Sequence, residues 1–197
     1  MSDRQLPAKT ALRDQLLAAR RRRPLLEVGE AARATAEHLL HAPEVRRAAT
    51  VAAYVSTGAE PGTSSLLAGL TAAGKRVVLP RLLPDGDLDW GTWRGETALA
   101  PARMGLLEPV DSLGVDAVAT ADVVLVPGLA VSADGMRLGR GGGSYDRALA
   151  RVPAGTWTCV LLHEEEVGIE VPAEPHDRRV RAAATAAGIT RFGPAPA

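Results

Sequence analysis

The run Arg137-Leu138-Gly139-Arg140-Gly141-Gly142-Gly143-Ser144-Tyr145-Asp146-Arg147 carries the residue types that bind phosphate. Its glycines let successive backbone N–H groups converge on one point, and a helix opening at Ser144 adds positive potential. Arg137 and Arg140 can supply charge-assisted hydrogen bonds to phosphate oxygens. The pattern is not a P-loop, because no Gly-Lys-Ser/Thr follows, and it lacks the last glycine of a dinucleotide fingerprint. Glycine content alone equally describes a flexible strand-to-helix turn, and the two arginines tip the reading toward a phosphate cradle. Asp146, just inside the helix, is placed either to hold Mg²⁺ against a nucleotide's phosphates or to compensate the helix dipole. The sequence leaves those two readings level. Lys9 and Arg13 are four apart on an expected helix and can form a clamp on the same phosphates. Their alternative is a solvated basic face that continues into the arginines at 20–23.

These residues need a scaffold, and the composition supports an ordinary α/β domain. The chain has 197 residues, 46% of them hydrophobic and 23% charged, enough to build a core without staples. A single domain over 1–197 is expected. Basic and acidic residues balance at 23 each, so no global positive field favours nucleic acid or a membrane surface. The lone Cys159 cannot form an intramolecular disulfide, no Cys/His spacing reads as a zinc site, and a reducing compartment fits best. The first residues lack the apolar stretch of a signal peptide, which points to the cytoplasm.

Apolar spacing predicts helices over 7–23 and 27–41, read together as a helical hairpin, with Pro43 beyond the second stop. A buried strand is expected over 50–55. A helix follows, starting near Thr63 and closed by Gly74, and then a strand over 76–80, which completes a strand-helix-strand unit. Residues 81–115 read as mostly loop with a strand near 88–94. Strands over 122–126 and 156–162 flank the glycine-rich loop and a helix over 144–152. Alanines blur the pattern over 179–189, and the tail over 192–197 reads as disordered. Three layers around a mostly parallel sheet result, with ligands at the carboxyl ends of the strands.

The glycine-rich run, with Pro127-Gly128-Leu129-Ala130 before it, resembles the signature of the 5-formyltetrahydrofolate cyclo-ligase (5,10-methenyltetrahydrofolate synthetase) family. The resemblance extends over most of the chain. It takes in Lys9-Thr10-Ala11-Leu12-Arg13, Glu60-Pro61-Gly62-Thr63, the stretch from Gly74 to Arg81, Gly105-Leu106-Leu107-Glu108-Pro109 and Pro172-Ala173-Glu174-Pro175-His176-Asp177, all in the expected order. It implies a carbon–nitrogen ligase that converts 5-formyltetrahydrofolate to 5,10-methenyltetrahydrofolate with ATP and Mg²⁺, and an architecture similar to sugar-phosphate isomerases and CoA-transferases. It implies 5-formyltetrahydrofolate and ATP as small-molecule partners; a monomer is expected, with neither nucleic acid nor membrane as partner.

By that resemblance Arg137, Arg140 and Tyr145 are catalytic. Lys9, Arg13 and the run from Arg137 to Tyr145 bind ATP, namely Arg137, Leu138, Gly139, Arg140, Gly141, Gly142, Gly143, Ser144 and Tyr145. Glu60, Trp90, Met104 and Tyr145 meet the folate, and Asp146 carries Mg²⁺; Trp90 reads equally as a buried core residue, while the alternatives for Tyr145 and Glu60 are a core aromatic with a bonded hydroxyl and an acid at the approach to a helix N-terminus. Ser144, Leu82 and Met104 stand where the family commonly has aromatics, and Val131-Ser132 replaces a frequent Phe-Asp. The nucleotide half of the motif is therefore better kept than the folate half. That motivates a second reading, a divergent ATP-binding relative acting on another formamide. A third is a nucleic-acid-binding module using the arginines at 20–23, disfavoured by the neutral net charge and scarce aromatics. His163 with its three glutamates lacks a second histidine at ligand spacing and His176-Asp177 reads as loop structure, so neither is taken as a metal site, and Cys159 reads as a small core residue.

Overall fold

The computed structural model describes residues 5–193. Its centre is a seven-stranded sheet in the order β11-β10-β9-β6-β1-β2-β3. The parallel strands are β1 (Thr50–Ala52), β2 (Arg76–Leu82), β6 (Val123–Pro127), β9 (Trp157–Leu161) and β10 (Ala182–Thr185). Only the outermost strands, β3 (Leu88–Thr92) and β11 (Gly188–Arg191), run antiparallel to their neighbours.

Side chains alternate strictly across this sheet, as the period of two requires. Val51, Val77, Leu79, Val123, Leu125, Cys159 and Leu161 point to one face. They meet Leu39 of α2 (Leu25–His41), Val45 of α3 (Pro43–Arg47) and Leu66, Leu67 and Leu70 of α4 (Ser64–Ala72). Ala52, Val78, Val124, Val126, Val160 and Ala183 point to the other, where Ala148 and Leu149 of α5 (Ser144–Ala150) cover them. The three layers follow from that alternation, and the expected α/β class is found.

Local chemistry sets the element ends. Helix α4 stops in a Schellman motif, with Gly74 at φ +70° and N–H groups of Gly74 and Lys75 bonded to the carbonyls of Thr71 and Leu70. Pro43, expected past a stop, instead opens α3 at a position where its missing N–H costs nothing. Lys75 donates to the Arg46 and Ala48 carbonyls at the other end of that helix.

The expected helical hairpin is not formed as a packed pair. Helix α1 (Gln5–Arg21) lays Leu12, Leu16 and Leu17 on a separate cluster of Leu129, Ala130, Met136, Leu138 and Val171. Those residues come largely from a small hairpin after β6, made of β7 (Ala130–Val131) and β8 (Arg137–Leu138). Helix α2 takes its apolar stripe to the sheet, so the two helices serve different cores.

The region 81–115 is more ordered than expected. Besides β3 it holds the hairpin β4 (Leu99–Pro101) and β5 (Leu107–Pro109), which Glu108 ties to β2 by accepting the Leu82 N–H at 2.9 Å. Of the tail, Phe192 packs against the core and donates its N–H to the Arg181 carbonyl; the rest of that expectation, from residue 194, lies outside the described residues. Leu39, fully buried between α2 and the sheet, measures the first core. Leu39→Ala should lower stability by about 3 kcal/mol in urea unfolding at an unchanged m-value.

Candidate active site

The order of the sheet reverses between β1 and β6, and their carboxyl ends open a crevice there, the usual ligand position in an open α/β sheet. A pocket of about 930 Å³ fills it, lined by Tyr54, Val55, Thr57 and Glu60 after β1, by the end of β2, by Pro127 and Gly128 after β6, and by the whole Arg137–Arg147 run. Lys9 and Arg13 enter from α1. The β4–β5 hairpin supplies Met104, Leu106, Leu107 and Glu108.

The floor of this pocket is Arg137, only 4% exposed. Its Nη2 pairs with Asp146 Oδ2 at 3.0 Å, and its Nε has no partner among the described residues. Two glycines make room for it. A Cβ on Gly139 would lie 2.5 Å from Arg137 Nη1, and one on Gly128 would lie 2.6 Å from Val160 and 3.3 Å from Arg137 Cγ. Beyond them the chain turns through Gly141 and Gly143 at φ +104° and +66°, conformations that favour glycine. Gly143 N-caps α5 in the left-handed region.

Each pocket cation has an internal partner. Arg140, more than half exposed, reaches Glu60 Oε1 at 2.9 Å. Glu60 is buried and fixed from behind, its Oε2 accepting the Thr57 N–H at 2.8 Å. The loop that carries it is closed by a reciprocal pair, Ser56 N–H to Thr63 Oγ1 and Thr63 N–H to Ser56 Oγ. Arg13 Nε donates to the Gly139 carbonyl at 2.9 Å. Lys9, 3% exposed, bridges Glu174 at 2.7 Å and Asp177 at 2.6 Å.

Burial disfavours the Lys9 ammonium, yet the hydrogen bonds and charges of Asp177 and Glu174 outweigh it and raise its pKa. Asp177 shows the mirror image. Desolvation pushes it up, but Lys9 and the Glu174 N–H hold it below the usual carboxylate value. Tyr145 lies in the pocket wall with its hydroxyl pKa far above the ordinary value, through burial first and the Glu60 carboxylate second. It is therefore a neutral donor at any working pH.

Nearly all residues singled out from the sequence line this one pocket: Lys9, Arg13, Glu60, Met104, Leu138, Ser144, Tyr145, Asp146, the arginines and the glycines. Met104 sits on its rim, 86% exposed and at φ +59°. Trp90 takes the buried one of its two alternatives. Its ring is 0% exposed and packs with Leu88 and Val118 in the second core, off the pocket wall. Trp90 sits mid-strand on β3, where the pleat turns it inward.

Sequence reasoning passed over two features. Tyr54 lines the pocket, is 3% exposed, and its hydroxyl has no partner among the described residues; its place just past β1, six residues before Glu60, was the available signal. Glu174, His176 and Asp177, read as loop structure, also reach the pocket with their ligand atoms within 4.8 Å of one another. Asp146 lies beside them, since its Oδ1 accepts the Arg178 N–H at 3.1 Å.

Cationic side chains and glycine-freed backbone facing carboxylates, in a crevice at the carboxyl ends of a mostly parallel sheet, make a site of the kind that small-molecule α/β enzymes use. The model of the 5-formyltetrahydrofolate cyclo-ligase family matches residues 5–186, and the chain belongs to that family. It is 44% identical over 134 residues to the 5-formyltetrahydrofolate cyclo-ligase of Mycolicibacterium smegmatis, covering 65% of this chain and 69% of the relative. It is 37% identical over 126 residues to that of Escherichia coli, covering 62% and 68%. The solved 5,10-methenyltetrahydrofolate synthetase of Aquifex aeolicus superposes with a TM-score of 0.82 at 24% identity, covering 96% of this chain and 95% of that one. The Mycoplasma pneumoniae enzyme of the same name gives 0.72 at 19%, covering 90% and 98%.

Two expectations test the geometry. Because Trp90 packs in the core with no partner for its indole N–H among the described residues, Trp90→Phe should change the KM for the folate by less than about twofold, whereas a stacking role would raise it strongly. The Asp177 pKa is lowered by folding, so its contribution to stability is present above the unfolded carboxylate value and is lost as pH falls through the lower folded value. Asp177→Asn should reduce stability at neutral pH and flatten the loss of stability below about pH 4, read by denaturant melts across pH.

Proposed function

We propose that this protein uses ATP to close 5-formyltetrahydrofolate to 5,10-methenyltetrahydrofolate, releasing ADP and phosphate. The observation that carries the reading is a single pocket in which the Arg137–Gly143 loop, Lys9 and Arg13 face Glu60, Tyr54 and Tyr145. Anion-binding groups and groups suited to a pterin are thus within reach of one bound pair of substrates.

The formyl group on N5 is an amide, too poor an electrophile for N10 to attack. Its oxygen first attacks the γ-phosphorus of ATP, and the bond to ADP breaks. The resulting phosphorylated imidate carries a leaving group. N10 then adds to the formyl carbon, the carbon–oxygen bond breaks to release phosphate, and the N10 proton leaves. Transfers of this type depend on positioning and on stabilising negative charge.

In this reading Arg137 turns its unpartnered Nε and its remaining donors to the transferring phosphoryl group. Arg140 exchanges Glu60 for the polyphosphate, and Glu60 is then free to accept pterin N–H donors. The backbone N–H groups of residues 139–143 complete the cradle. Tyr145, held neutral, donates to the formyl region, and Leu138 and Ser144 border the nucleotide. Met104, flexible and polarizable, covers the flat heterocycle from the rim.

Mg²⁺ bound with the nucleotide would draw charge from its phosphates. The donor set fits it: Asp146 and Asp177 are hard oxygen ligands on adjacent segments, and each keeps lone pairs beyond those bonded to Arg137 and Lys9. The same reading has the chain act as one domain over 1–197, as a monomer, in the cytoplasm; among the described residues no helix is long and apolar enough to cross a membrane.

Formation of the methenyl chromophore from 5-formyltetrahydrofolate, dependent on ATP, is the direct test. Arg137→Ala should lower kcat by about 100- to 1,000-fold while circular dichroism is unchanged. A wild-type kcat in that variant, or no chromophore from the wild type, would refute the reading.

A further inference from the structure

The arginines at 20–23 read from sequence as a solvated face, yet Arg20, in the last turn of α1, is 3% exposed. Its guanidinium grips Glu166 at both oxygens, Nε to Oε1 and Nη2 to Oε2, each at 2.7 Å. Nη2 also donates to the Gly128 carbonyl at 2.6 Å. Gly128 is the residue whose missing side chain leaves space for Arg137. Glu166, 2% exposed, accepts the His163 N–H at 2.9 Å through Oε2, and the His163 ring accepts the Glu166 N–H in return.

The chain of contacts continues. His163, 3% exposed, meets the Ala59 carbonyl through Nε2 at 3.2 Å. A carbonyl oxygen only accepts, so Nε2 carries the hydrogen and the other nitrogen is left to accept. Burial keeps the ring below its ordinary pKa, consistent with that neutral form. Ala59 precedes Glu60. One buried network therefore runs from the helix that presents Lys9 and Arg13, past the wall behind Arg137, to the loop that presents Glu60.

None of Arg20, Glu166 and His163 lines the pocket, so none touches a substrate bound there. A buried ion pair is weak evidence for stability, because desolvation consumes much of its attraction, and its geometric specificity is the better-founded gain. Transfer between two bound substrates needs that specificity, since small misplacements of reacting groups are costly.

We propose that Arg20, Glu166 and His163 are positioning residues that lock the phosphate-binding helix and the Glu60 loop into one register. The inference rests on the proposed ligase reaction. It assigns two separable effects. Loss of His163 loosens the Glu60 loop and acts on the folate. Loss of the Arg20–Glu166 pair loosens α1 and acts on the nucleotide.

The test is steady-state kinetics on the full chain with both substrates varied. His163→Ala should raise the KM for 5-formyltetrahydrofolate about tenfold and that for ATP less than about twofold. His163→Gln, which retains a donor for the Ala59 carbonyl, should recover most of the loss. Removing one member of the buried pair would strand a charge, so the second variant is Arg20→Met with Glu166→Gln, which keeps an acceptor for the His163 N–H. It should hold its melting temperature within a few degrees and raise the KM for ATP about tenfold. A merely structural role lowers the folded fraction, and so the apparent kcat, with both KM values unchanged. Unchanged KM values in both variants would overturn the proposal while the wild type's methenyl product leaves the ligase reading standing. A wild type that forms no such product overturns both.

Discussion

The pocket depends on the close approach of backbone to the Arg137 side chain. Gly128 and Gly139 flank that side chain from two different segments, and a Cβ on either would collide with it or with Val160 behind it. The guanidinium is thereby held below the surface rather than left free to swing, with its charge met by Asp146 at the start of α5. A long cation is rarely buried without a partner. Here the partner is part of the same cradle. The glycine-rich run therefore serves the arginine sterically as well as offering its own N–H groups to a ligand.

The same logic of paired charges governs the rest of the crevice. Lys9 is matched by Glu174 and Asp177, and Arg140 by Glu60. In the proposed reaction an arriving polyanion would enter a site whose cations are already oriented by these pairs. Exchange of partners is easiest at Arg140, whose side chain is 56% exposed, and hardest at Lys9, at 3%. The fixed cations, Lys9 on α1 and Arg137 on β8, thus flank the exchangeable Arg140 on the glycine turn.

What could be read from the sequence was what had a local signal. The apolar stripes of α1, α2 and α4, the Val/Leu runs of β2, β6 and β9, and the glycine-arginine run each carry their pattern within a few residues. Elements without such contrast were lost. Strand β10 is Ala-Ala-Ala-Thr, in which alternation is invisible because alanine suits either face, and the short strands of the β4–β5 hairpin each end in proline. Long-range pairing was equally hidden. Arg20 looked like one of four surface arginines because its partner Glu166 lies 146 residues away. Trp90 could be read either as a folate contact or as a core residue, because strand phase, which buries it, is set by the pairing of β3 with β2. The family resemblance located most of the pocket but gave no account of these partners.

Helix α1 illustrates what such distance means for a growing chain. Its apolar stripe rests on residues from Leu129 to Val171, and Lys9 finds Glu174 and Asp177 only 165 and 168 residues downstream. Contacts so remote in sequence close late, after the local and intermediate ones have formed. Helix α1 is thus among the last of the described elements to be seated. A chain made only as far as β2 can assemble the β1–α4–β2 unit but still lacks the Arg137–Arg147 run and the carboxylates of Glu174 and Asp177 that complete the crevice.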